Sequence, residues 1–189
     1  MMLRVAFVPP DEVVEELRAL SGRLGMLPGV RSAPNDRLDV PIASLGNVSR
    51  ADTAQLARRI AASAGPETLP QVGLSGVHLQ PDGDIGITVT GDVTGLYGIA
   101  GAVGKSAERI HVYIDRRAFR PLLVVAQIDE QKPGSRVEPT LARMEDWTCM
   151  SWTVADVALI QIRWHMGLPF SEIVEFVPIT PARAVVPSE

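Results

Sequence analysis

Apolar residues recur along this chain with two periods, and the switches between them mark out the elements. Residues 3–8 form a short apolar run with β-branched members, the pattern of a buried strand, and Pro9-Pro10 ends it. Over 12–24, Val13, Val14, Leu17, Leu20 and Leu24 recur at spacings of three and four, which predicts an amphipathic helix with Asp11 as its N-cap. Residues 25–34 read as a turn-rich connection. A strand is expected over 38–45. Pro41 within it removes a ladder donor, so that strand belongs at an edge, at a bulge, or locally unpaired. Ser49-Arg50-Ala51-Asp52 resembles a capping box and opens a helix to about residue 63, which Gly65-Pro66 breaks.

The second half continues the alternation. Strands are expected over 72–80 and 85–90, joined by the turn Pro81-Asp82-Gly83-Asp84. A helix is expected over 94–107, then strands over 111–114 and 121–128. The last of these is a continuous apolar run entered through Pro121. A polar loop over 129–138 leads to a short irregular or helical segment at 141–148, with Trp147 and Trp152 as core or lid aromatics. Strands over 153–163 and 173–179, joined by a turn at 164–169, close the pattern, and 181–189 reads as a flexible tail.

Composition adds bounds. A chain of 189 residues, 46% hydrophobic and 21% charged, suits one domain or two small lobes sharing a core. A net charge of −4 offers no global basic field to a polyanion, so there is no strong nucleic-acid signal. The single cysteine, Cys149, cannot form an internal disulfide, and the apolar start is too short for a signal peptide or a membrane span. A cytoplasmic protein is expected, with no membrane partner. The histidines, His78, His111 and His165, lie far apart without ligand-spaced Cys, Asp or Glu, so neither a metal nor another cofactor is expected. Gly98 to Ser106 looks like a phosphate-binding loop, but the spacing from Gly98 to Gly104-Lys105-Ser106 is one residue too long.

Two strands carry a resemblance. Arg120-Pro121-Leu122-Leu123-Val124-Val125-Ala126-Gln127 is similar to the Arg-Pro-His-hydrophobic-Thr-hydrophobic-Ala-Arg strand of the 2H phosphoesterase superfamily, which includes the bacterial RNA 2',3'-cyclic phosphodiesterases, also called 2'-5' RNA ligases. Asp39-Val40-Pro41-Ile42-Ala43-Ser44-Leu45-Gly46 matches the other motif, His-x-Thr-Leu-x-Phe-Leu-Gly. With the closing hairpin, where Phe170 takes the place of a Tyr, the resemblance spans about residues 3–180. It implies an α+β fold of two pseudo-symmetric α/β lobes around a central cleft, over 1–180, with one motif strand from each lobe. It also makes Gly98 to Ser106 part of a helix before the second motif strand, with small residues where it packs closely on the sheet.

It also implies lost chemistry. Asp39 and Leu122 stand where the family has its two histidines, and Pro41 and Val124 where it has threonines. Leu122 and Val124 can neither move a proton nor donate a hydrogen bond. Asp39 is a weak base at neutral pH, and its charge would oppose a phosphate. No catalytic residue is therefore expected at these four positions. The leading reading is a non-catalytic member of the family, its cleft closed or reused for an unknown protein or a small nucleotide or RNA ligand. A divergent phosphodiesterase working through other residues, such as His78 or His111, is the alternative, with Arg120 as the candidate phosphate partner. Nucleotide binding at the Gly-rich helix, through Lys105, is a third.

Overall fold

Two antiparallel sheets carry the architecture of this computed structural model, which describes residues 1–63, 65–115, 119–129 and 137–181. The first sheet has four strands: β3 (Val40–Asn47), β1 (Met2–Phe7), β8 (Asp156–His165) and β9 (Leu168–Pro178), in that order. The second runs β2 (Val30–Ser32), β6 (Leu122–Ile128), β5 (Asp84–Gly91), β4 (Gln71–Leu79), β7 (Trp152–Thr153). The chain passes repeatedly between them, so each lobe is assembled from separated stretches of sequence. Helix α1 (Asp11–Gly25) leaves β1 of the first sheet yet packs against β2 and β6 of the second. Helix α2 (Arg50–Ala61) leaves β3 and packs against β9 and α3 (Val93–Glu108). The short α4 (Val137–Ala142) lies against β4. This is the expected pair of α/β lobes.

The predicted apolar stripes become the core. Val13, Leu17, Leu20 and Leu24 of α1 are fully buried, each contributing roughly 1.5–3 kcal/mol of burial. They join Leu3, Val5 and Phe7 of β1 and Leu123 and Val125 of β6 in one cluster that runs beneath both sheets. Ser49 caps α2 as expected, its Oγ accepting from the Asp52 amide. Pro41 meets the expectation too. β3 is an edge strand, and Ala6 pairs with Pro41 while Val5 pairs with Ala43, leaving Ile42 bulged out of the ladder.

Several boundaries differ from the sequence reading. Asp11 is the first helical residue, and Pro10 takes the N-cap position without a side-chain bond. The connection 25–34 contains β2, three residues held by one ladder to β6, too short to show a period. No strand forms over 111–114: His111 has φ 56°, and the Val112 amide donates back to the Ala107 carbonyl, a left-handed cap that ends α3. The run 153–163 is divided, because Trp152 and Thr153 pair with β4 in the second sheet and the chain then crosses into β8 of the first. β9 begins at Leu168 rather than 173, pairing with β8 from His165–Leu168 back to Asp156–Pro178 with one shift of register between Leu159 and Ile160. Most of the polar loop over 129–138, and the expected tail from residue 182 onward, lie outside the described residues.

The phosphate-loop reading is excluded by conformation. Gly98 to Ser106 lies wholly within α3, so its amides are committed to helical hydrogen bonds rather than free to cradle phosphate. Nor do its glycines serve close packing on a sheet, since a Cβ at Gly98 or Gly101 would meet open space.

Candidate ligand-binding cleft

A cleft of about 500 Å³ opens between the two sheets. Asp39 and Pro41 line it from the first lobe, and Val124 and Ala126 from the second, so three of the four motif positions meet there. Leu122 does not line it. Its side chain covers Gly86 on β5, where an added Cβ would come within 2.8 Å of it. The bulge at Ile42 separates Ala43 from Asp39 and Pro41; Ala43 lines a different recess with Tyr97 and Phe119.

Asp39 is neither a free carboxylate nor a repulsive one. Arg4, on the adjacent β1, grips it with two hydrogen bonds of 2.7 Å, Nη1 to Oδ1 and Nη2 to Oδ2. Only 13% of the Arg4 side chain and 7% of the Asp39 side chain is exposed, so the pair is a closed, neutral unit in the wall. Arg4 Nη2 also reaches the Asp36 carbonyl and Ser171 Oγ. The sequence signal for this partner was a lone charge, Arg4, inside the apolar run 3–8, since a buried strand position holds a cation only when something pairs it.

The open wall is polar. β2, β6 and β5 are adjacent, and their registers set Arg31 opposite Gln127 and Gln127 opposite Asp84. All three line the cleft, as do Ser32 and Arg37, the latter from a single 3-10 turn, Asn35–Arg37. Gln127 Nε2 donates to Asp84 Oδ1 at 2.9 Å. Burial, and then the charge of Asp82, raise the Asp84 carboxyl above the usual carboxylate range. The side chains of Arg31 and Arg37 are exposed and make no hydrogen bond or ion pair among the described residues.

None of the histidines lines this cleft. His78 is exposed on β4, His165 is exposed at the end of the β8–β9 hairpin, and His111 caps α3. Arg120 lies outside the lining as well. It is exposed, donates to Gln80 Oε1 at 2.9 Å and sits 3.8 Å from Asp82 Oδ2, at the tip of the β4–β5 hairpin. Among the described residues no group of three or more His, Cys, Asp or Glu side chains is placed to hold a metal ion, and no helix is long and apolar enough to cross a membrane.

No protein-family model and no curated protein matches this sequence. Solved structures do. TT0787 of Thermus thermophilus is 17% identical with a TM-score of 0.71, covering 96% of this chain and 99% of its own. E. coli LigT complexed with 3'-AMP is 19% identical with a TM-score of 0.69, covering 95% and 98%. A structure described as a phosphoesterase is 19% identical at 0.70, with 95% and 98% covered. The resemblance read from the two motif strands therefore holds at the level of the fold: the chain is built as LigT and these phosphoesterases are, along nearly its whole length.

Proposed function

We propose that this chain is a phosphoesterase-fold protein that does not cleave phosphodiesters and keeps its cleft as a binding site for a small phosphate-bearing ligand. One observation carries the reading. The cleft has no histidine, and the motif positions that line it hold an ion-paired carboxylate, a proline and a valine. A general acid and a general base each contribute about 10²–10⁴-fold to such a reaction, and neither is available at those positions. The open volume and the unpaired arginines favour a reused cleft over a closed one. LigT has been crystallised with 3'-AMP, with ATP, with NADP+ and with phosphate, which fits a fold suited to phosphate-bearing ligands. The reading treats 1–180 as one two-lobed unit, since both lobes line the cleft, and a cytoplasmic setting accords with the lone Cys149 thiol.

Asp84 favours a second reading. It is a cleft carboxyl that burial raises above its ordinary value, the direction that suits a general acid, and a divergent phosphodiesterase would work through it. The test is hydrolysis of an RNA oligonucleotide ending in a 2',3'-cyclic phosphate by wild type, Asp39→Ala and Asp84→Asn. No turnover above buffer is expected from any of them. Turnover abolished by Asp84→Asn would establish the second reading instead.

A further inference from the structure

Two cations in this cleft have no internal purpose. Arg31 and Arg37 are exposed, line the open wall and find no partner among the described residues, whereas Arg4 is consumed by Asp39 and Arg120 by Gln80 and Asp82. The motif positions that share the lining, Pro41 and Val124, offer no donor. Arg31 belongs to a row that crosses three strands, Arg31–Gln127–Asp84, with side chains about 5 Å apart at their bases. Arg37 enters from the 3-10 turn Asn35–Arg37. Beside these, Ser32 and the closed Arg4–Asp39 pair, the lining is apolar: Ala33, Pro34, Pro41, Val124, Ala126 and Ile162.

From this arrangement we infer that Arg31 and Arg37 form an anion-recognition arm, and that the ligand is a phosphate monoester with a compact, planar or apolar body. The inference rests on the binding reading proposed above. A terminal phosphate carries about −1.5 to −2 charges near neutral pH and presents several oxygens, which two guanidinium forks can bind and a single carboxylate uses less fully. The apolar floor takes the body, and Gln127 with Asp84 accepts or donates to its polar edge. A cleft of about 500 Å³ encloses a mononucleotide-sized molecule. It does not suit a polynucleotide, because a strand leaving the cleft needs further cations along its path, and the chain's net charge is −4.

The test is calorimetric titration of the intact chain with AMP, adenosine and inorganic phosphate, for wild type, Arg31→Gln, Arg37→Gln, the double variant, and Pro41→Trp, which fills the cleft from an exposed edge position. AMP is expected to bind more tightly than adenosine and to weaken as salt is added. Each arginine substitution should cost about tenfold in AMP affinity and leave adenosine unaffected. Both arginines are exposed and unpartnered, so the melting temperature should not move. Equal affinity for AMP and adenosine overturns the inference, as does failure of both AMP and phosphate to bind. AMP affinity that survives in the double variant but is lost in Pro41→Trp refutes the arginine arm and leaves the binding cleft standing. Affinity that survives in both removes the cleft reading too.

Discussion

Replacing Asp39 with alanine isolates the most consequential difference from the family pattern. The substitution leaves Arg4 with its guanidinium nearly buried, its two 2.7 Å partners gone and its Nε already without an acceptor among the described residues. Removing one partner of a fully buried pair costs about 3–5 kcal/mol, and water entering from the open cleft lowers this to roughly 2–4 kcal/mol here. For a chain of this length each kcal/mol corresponds to about 2–4 °C, so melting should fall by roughly 5–15 °C. Urea unfolding followed by circular dichroism measures the loss without screening the charges. Arg4→Met with Asp39→Leu should recover most of it, because the uncompensated charge leaves with its partner. Asp39→His, which restores the residue type of the family motif, should destabilise as well, since imidazole cannot neutralise Arg4. A loss below about 1 kcal/mol for Asp39→Ala, the range of exposed pairs, would refute the reasoning.

Other outcomes follow from local geometry. Ser49→Ala removes the α2 cap and should cost about 1 kcal/mol in urea unfolding. Gly91→Ala should cost roughly 2–4 kcal/mol, because Gly91 has φ 89° and the new Cβ would lie 2.4 Å from the Gln71 carbonyl oxygen. The carboxyl of Asp84 is raised in the folded state, so the fold favours its protonated form. Its penalty is absent below the ordinary carboxylate range, grows as pH rises through that range, and is complete above the raised folded value. Asp84→Asn should therefore leave the protein equally or more stable at pH 7 and bring no gain at pH 3, so its advantage over wild type grows with pH, measured by melting between pH 3 and 7.

The sequence was most informative where a period or a turn signal acted locally. The stripe Val13, Leu17, Leu20, Leu24 placed α1, and Pro81-Asp82-Gly83 placed the β4–β5 hairpin, whose ladder begins at the Leu79–Ile85 pair. Pro41 narrowed its strand to an edge, a bulge or a local break, and the strand lies at an edge with a bulge at Ile42. What stayed hidden depends on residues distant in the chain. His111 to Ile114 alternates like a strand, yet the end of α3 captures it, because the amides of His111 and Val112 bond back into the helix. Three residues of β2 carry no detectable period, and with them went Arg31. The motif comparison located Asp39 at the cleft but not its partner, since Arg4 is adjacent only through strand pairing. Arg120 was placed by its position before Pro121 and lies outside the cleft lining.

The interleaving of the sheets has a consequence for biosynthesis. β1 is an inner strand whose second neighbour, β8, spans Asp156–His165, far along the chain. As the polypeptide emerges from the ribosome, β1 and β3 can form their ladder early, but the other rail of β1 stays bare until residues 156–165 have been made. For that interval an apolar strand presents unpaired amides and carbonyls, the condition under which nascent chains associate wrongly. Arg4, at the middle of this strand, gains its carboxylate partner as soon as β3 pairs, so its charge is met before the second rail is. The Arg4–Asp39 pair thus closes with the first ladder rather than waiting for β8.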